Sequence, residues 1–515
     1  MLLGSRLETS TEMGIPSSPG WIAYTAKRIA RYGRKNDGRQ LTHLNEDVLG
    51  EILSYCDIYH ILLFSRVNRV CRRIALSKHL WISLLRDLEF RALLDLGPKE
   101  QLEAYETPEL IDMVKRVSLG PRTWSPTSST PPTIRREVVL HFDVPHGPGT
   151  GIHLLPGGKY VVFWKSRGVF ALWGIASQRC IWTHPALWWF WSIDVPDGGH
   201  VAVVGLGSEV FGQQAGDLEV NEVDLRTGDS RVRFRARIPC RFGTAGQMNI
   251  LGDIFTVALS TKTSREILIV NWRANTCVRL KFPLTSLICS SLVQGHLIVA
   301  YRDSYIHNGV VSGVYPLASF HWNAMDPNHP WSHFGETTRR PPTTITLPFA
   351  SVHRMTFLEM QTYRSPTRRD TYKVTIKLRI RLPPRRLAMR LWDKVTISSS
   401  DDDSTCLSFL QAYILSPSTV SDLRILPTIP QPRNRMFPHT VSGYATDLAN
   451  RELSVVDGWG IRDGIGTVDG KLKNKESREV LRRSQLVSSA WPMLGEYSAA
   501  VPLLEERTLR ILYFD

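Results

Sequence analysis

The sequence predicts a multidomain chain, with a small all-α unit followed by a large all-β body. Three observations predict it. Leu41 to Asp87, LTHLNEDVLGEILSYCDIYHILLFSRVNRVCRRIALSKHLWISLLRD, repeats large apolar residues at helical spacing between polar caps. Beyond Thr133, short apolar runs alternate with Gly and Pro turns, as strands do. That same region carries a faint internal repeat of roughly 40 to 50 residues, the period of propeller blades.

Length and composition set the outer bounds. At 515 residues the chain has room for at least two domains. A content of 43% hydrophobic and 22% charged residues is that of a folded protein. The net charge of +15 and pI of 9.6 fit either an acidic partner or a basic but inert surface. Seven cysteines, none in a Cys-x-x-Cys pair, are too sparse for a disulfide framework. No Asn-x-Ser/Thr sequon occurs, and MLLGSRLETSTEMG lacks the apolar core of a signal peptide. The densest apolar run, Leu187-Trp188-Trp189-Phe190-Trp191, is too short to span a bilayer. The expected location is the cytosol or the nucleus, away from membranes.

Residues 1–40 read as a flexible basic arm, in which Lys27-Arg28 and Arg34-Lys35 resemble the halves of a nuclear-import signal. Asn45 then caps a first helix, with Glu46 and Asp47 in its first turn and Leu44 and Leu49 placed for a hydrophobic staple. Val48, Leu49, Ile52 and Leu53 form its apolar face. Asp57 caps a second helix that buries Ile58, Ile61, Leu62 and Phe64. A third segment carries Val67, Val70, Cys71 and Ile74, with arginines on its other sides. Ser77 starts a fourth, where Leu80, Trp81, Leu84, Leu85 and Leu88 recur at i, i+1, i+4, i+5 and i+8. A unit this small has two outlets for its apolar surface: another protein, or the β body of the same chain. Periodicity alone does not choose between them.

Leu44-Asn45-Glu46-Asp47-Val48-Leu49, Glu51-Ile52-Leu53-Ser54-Tyr55, Phe64-Ser65-Arg66-Val67, Cys71-Arg72-Arg73 and Leu80-Trp81 together resemble an F-box. Asn45 stands where that family usually has Pro, and Cys56 where Leu is common. The resemblance implies binding to a small Skp-family adaptor within a cullin complex. Its adaptor-facing positions here are Leu44, Asn45, Val48, Leu49, Ile52, Leu63, Val67 and Trp81.

A connector over residues 89–133 follows the helical unit of 41–88. It holds a short helix from Thr107, with Thr107 as cap and Pro108 at the first position, and ends in the linker SPTSSTPP. Residues 134–515 form the β body. Leu155-Pro156-Gly157-Gly158-Lys159-Tyr160-Val161-Val162 echoes Val195-Pro196-Asp197-Gly198-Gly199-His200-Val201-Ala202. Trp173-Gly174, Val223-Asp224 and Asn271-Trp272 resemble decayed forms of the closing pair of a WD repeat. The length suffices for about seven or eight blades, and Leu509 to Phe514 is placed to close the ring. Helical unit, connector and divergent propeller together resemble the F-box proteins abundant in mushroom-forming fungi.

Catalytic signatures are missing from the sequence. There is no His-Glu-x-x-His and no Gly-x-Ser-x-Gly, and GTVDGKL at 466–472 lacks the spacing and hydroxyl of a phosphate loop. Cys56 with His60 and Cys71 with His79 lack the further ligands of a metal site. No cofactor or metal is expected. The alternating KVTIKLRIRL at 373–382 sets Lys373, Lys377, Arg379 and Arg381 on one strand face, extended by Arg364, Arg368, Arg369, Arg385, Arg386 and Arg390. It reads either as a solvated outer strand or as a patch for an acidic or phosphorylated ligand. It lacks the aromatics of a single-strand nucleic-acid site, and nucleic acid is the less expected partner. The function that emerges is a non-catalytic substrate receptor of a cullin-type (SCF) ubiquitin ligase, holding an unspecified protein substrate on its propeller. The alternative is a basic propeller scaffold for nucleic acid or phosphoproteins.

Overall fold

The computed structural model describes residues 44–94, 96, 101–124, 128–142, 150–165, 168–186, 190–208, 216–238, 244–260, 264–283, 288–302, 310–325, 343–346, 355–369 and 371–381, and short strand segments between Cys406 and Phe514. The basic arm, Trp188, Trp189 and the 466–472 stretch lie outside the described residues.

Five α-helices come first: α1 (Glu46–Ser54), α2 (Ile58–Phe64), α3 (Arg69–Ala75), α4 (Lys78–Phe90) and α5 (Thr107–Leu119). Their starts follow the capping logic with two changes. The Asp57 carboxylate accepts from the His60 N–H at 2.9 Å, as a cap should. Asn68 does the same for α3, accepting from Cys71 N–H at 2.8 Å. Asn45 occupies the cap position of α1, but its side chain makes no capping bond. The cap of α5 is Glu106 rather than Thr107: Glu106 and Glu109 form a reciprocal capping box, which shifts the start by one residue. The α4 stripe is buried throughout, and the Trp81 indole donates to the Ala75 carbonyl at 3.0 Å.

The helical core does not stop at Leu88. Leu93, Leu96, Leu102, Leu110, Val114 and Val117 join it, so the connector helix completes the unit. Tyr363, from the β body, is buried in the same core.

Among the described residues the β body contains seven sheets, built almost wholly of antiparallel neighbours in sequence order. The second sheet, 190–194, 201–207, 216–224 and 230–238, is typical: four strands, each hydrogen-bonded to the one before. First strands of successive sheets pack on one another: 190–194 on 244–251, 244–251 on 288–293, and 288–293 on 355–364. Sheets stacked through their first strands radiate from a common axis, which is propeller architecture. The first and last strands of the β body pair with each other. Ile134–His141 pairs antiparallel with Thr508–Phe514, with Leu140 opposite Leu509 and Val138 opposite Ile511. Leu140, Leu509 and Ile511 are buried together there with Ile152 and Leu154 of the first sheet.

Candidate docking face

Helix α1 carries two adjacent apolar rows. Leu49 and Leu53 point inward and are buried against the other helices. Val48 and Ile52, on the neighbouring row, are 45% and 37% exposed, and Leu44 continues the row ahead of the helix. Tyr55 extends it beyond. Leu62 and Leu63 on α2, then Val67 and Val70, add to the exposed set, Val67 at 69%. Eight of the fourteen exposed large apolar side chains among the described residues therefore fall within residues 44–70. Scattered apolar exposure is ordinary, but concentration on three consecutive helical segments marks a docking face.

This arrangement sorts the sequence-assigned positions. Leu44, Asn45, Val48, Ile52, Leu63 and Val67 are on the surface. Leu49 and Trp81 are not: both are core residues and cannot touch a partner unless the helices open. Leu62, expected inside, is exposed, because a short helix buries only its Ile58 and Ile61 row. The polar groups around the face are organised. Glu46 pairs with Arg73, and the Tyr55 hydroxyl donates to Glu51 at 3.0 Å. A cavity of about 250 Å³ lies beside the start of α1, lined by Leu44, Asn45, Leu49, Phe64 and Val70.

The helical unit is also fixed to the propeller, so the β body of the same chain takes one of the two outlets for its apolar surface. Contacts come from the turns that join first and second strands of three sheets. In the first sheet, Gly157 adopts φ +79° and approaches the Ala92 carbonyl so closely that a Cβ would sit 2.6 Å from it. Lys159 pairs with Glu89 at 3.0 Å. In the second sheet, Gly198 at φ +100° donates its N–H to the Phe90 carbonyl at 2.7 Å. In the fifth, the turn after Arg364 enters the helical unit: Tyr59 N–H donates to the Thr367 carbonyl at 3.1 Å, and Arg91 donates to the Ser365 carbonyl at 2.7 Å. Arg369 pairs with Asp87 at 2.6 Å.

These contacts correct the reading of the basic stretch. Strand Tyr372–Arg381 is an inner strand, flanked by 355–364 and 406–415, not an outer one. Lys373 is accordingly buried, at 6% exposure, and Thr375 with it. Arg364, Arg368 and Arg369 bind Asp197, Tyr59 and Asp87 and so are spent inside the molecule. The side chains of Lys377, Arg379 and Arg381 lie outside the described residues. The Trp191 of the aromatic run packs on Trp164, Phe170 and His153 at ring distances of 4.9 to 5.5 Å, as blade core.

Residues 41–83 match the F-box domain family. No curated protein sequence matches the chain. Among solved structures, the chain is similar to the β-propeller domain of Cps50 (Swd1) from Myceliophteria thermophila, at 12% identity, covering 74% of this chain and 99% of that one, with a TM-score of 0.39. It is also similar to the WD40 domain of SCAP from fission yeast, at 11% identity, 70% and 84% coverage and a TM-score of 0.37. A third is BamB from Moraxella catarrhalis, at 11%, 75% and 98%, with a TM-score of 0.36. Scores this low carry no weight of their own, and the propeller assignment rests on the sheet topology.

Proposed function

We propose that this chain, which carries an F-box domain at residues 41–83, is a substrate receptor of a cullin-type ubiquitin ligase. The F-box binds a Skp-family adaptor, and the propeller holds a protein substrate close to the ubiquitin-charged enzyme. The chemistry is then accelerated by proximity, with no catalytic residue in this chain. The observation that carries the reading is the exposed row of Leu44, Val48, Ile52, Leu63 and Val67 beside a separate, filled helical core. A helical unit that has already satisfied its own core and its propeller contact keeps such a row for another protein.

The anchoring supports a receptor geometry. The helical unit sits on the end of the ring formed by the first-to-second-strand turns, and the substrate is held elsewhere on the propeller. A receptor of this kind works in the cytosol or nucleus, where cullin ligases and their substrates meet. The basic-scaffold alternative loses Lys373, Arg364, Arg368 and Arg369, all buried or internally paired. Co-expression of the full chain with a Skp-family adaptor tests the reading. A stable one-to-one complex on size exclusion is expected; separate elution of two folded proteins contradicts it.

A further inference from the structure

The docking face leaves one built feature unused: a cavity of about 400 Å³ at the propeller hub. First strands of five sheets line it, and Arg91, Ala92 and Leu93 line it from the helical side. A volume of this size takes a small organic group.

Its lining is rich in acceptors. The Gln247 amide N–H donates to the Met360 carbonyl at 3.3 Å, and that of Asn249 to the Ser290 carbonyl at 2.8 Å. A carbonyl only accepts, so these bonds identify the amide nitrogens; each amide keeps its oxygen as an acceptor, and Gln247 keeps a second N–H beside it. Asp194 is the lining's carboxylate. It accepts from the Gly252 N–H at 2.7 Å and from the Val195 N–H, and burial pushes its pKa up against the opposing pull of those bonds and of Arg364. Of the lining's two cations, Arg364 pairs with Asp197 and also attracts Asp194 from a distance, and Arg91 is held by Asp87 and the Ser365 carbonyl. His153 is the fourth group. Its Nδ1 is fully buried and has no hydrogen-bond partner among the described residues. Burial holds the ring neutral, with a pKa pushed down to about 4, so a ring nitrogen is left to accept. The Trp191 ring, edge-on to His153 at 5.5 Å, supplies an aromatic wall.

We infer that the hub cavity is a binding site for a guanidinium group, held by Asp194 and by the amide oxygens of Gln247 and Asn249. A planar cation with five N–H donors matches acceptors spread around a ring better than a point charge does. The group belongs either to a free small molecule or to an arginine side chain of a bound protein. The inference does not depend on the adaptor reading.

Thermal unfolding of the full chain is measured against three probes: agmatine, N-acetyl-arginine amide and N-acetyl-citrulline amide. A saturable rise in Tm with at least one guanidinium probe is expected, with the neutral citrulline isostere at least about tenfold weaker. Binding of agmatine alone assigns the site to a free ligand; binding of capped arginine assigns it to a side chain. Asp194→Asn keeps an oxygen for the Gly252 N–H and is expected to weaken guanidinium binding by about tenfold or more. Gln247→Leu serves as the second variant and is expected to weaken it too. No response to either guanidinium probe overturns the inference, as does equal response to citrulline or unchanged affinity in both variants. Adaptor co-purification of the same variants is expected to be normal, so failure here is distinct from failure of the receptor reading.

Discussion

The guanidinium carbon of Arg368 lies 3.6 Å from the centre of the Tyr59 ring. Arg368 belongs to a turn of the fifth sheet and Tyr59 to helix α2, so this contact joins the propeller to the F-box helices. With Arg91 on the Ser365 carbonyl and Arg369 on Asp87, it forms a clamp that fixes how the docking face is presented. Arg368→Ala is expected to cost about 1 kcal/mol, the order of a partly exposed cation–π pair. Hydrogen exchange should register the loss in α2 first. Unchanged protection there would show that the clamp is held by the other contacts alone.

Gly157 is the second fixed point. A side chain there meets both a left-handed backbone and the Ala92 carbonyl at 2.6 Å. Gly157→Ala is expected to destabilise by about 2 kcal/mol or more, because the substituted residue cannot relax without moving α4 away. Gly199→Ala is the control. It shares a positive φ of +66° but meets no atom within 4 Å, so it should cost only about 1 kcal/mol. Chemical denaturation of both variants compares the two terms.

The two rows of α1 should respond in opposite ways to charge. Leu49→Asp buries a carboxylate in a filled core and is expected to cost at least about 3 kcal/mol, with loss of helical circular dichroism. Val48→Asp changes an exposed residue and should shift stability by no more than about 0.5 kcal/mol. Similar losses from both would mean that the exposed row is packed in solution.

Two histidines predict opposite pH effects. The His60 Nδ1–H donates to the Asp57 carboxylate at 2.6 Å, and that hydrogen bond raises the His60 pKa above the ordinary 6.5. Its contribution is complete below about pH 6.5 and fades as pH rises through the raised value. His153 is held neutral with a pKa near 4, so the folded state resists a proton that the unfolded chain accepts. Stability is lost as pH falls from about 6.5 toward 4, by about 3 kcal/mol at the lower limit. His153→Phe should flatten the acid limb of a stability–pH curve. NMR titration of the two imidazoles checks both directions.

Much of the fold was readable from local pattern. Apolar spacing and caps located the helices from Glu46 to Phe90, and the Gly-Gly turns at 157–158 and 198–199 marked the first two blades. Those glycines proved to do more than turn the chain, since Gly157 and Gly198 also receive the helical unit. Nothing in a single sequence shows that second role, because the partner atoms lie about 65 and 108 residues away on α4 and its end. The same limit explains the misread basic strand. The polar–apolar alternation of Lys373-Val374-Thr375-Ile376 looks like a half-exposed edge, yet the strand is paired on both sides and both of its faces are buried there. It explains Leu49 and Trp81 as well. A motif marks which positions matter but does not separate those that face a partner from those that hold the helices together. Asn45 illustrates the remaining gap: its side chain makes no cap bond, so helix formation does not account for its presence.

The central claim is that the exposed row of α1 and α2 binds a Skp-family adaptor. The most direct measurement is calorimetric titration of that adaptor into the full chain and into the Ile52→Glu, Leu63→Glu double variant. Both side chains are surface residues, so the variant should keep wild-type circular dichroism and thermal stability. The account predicts tight binding to the wild type and at least about a hundredfold loss in the folded variant. Equal affinity for the two would contradict it.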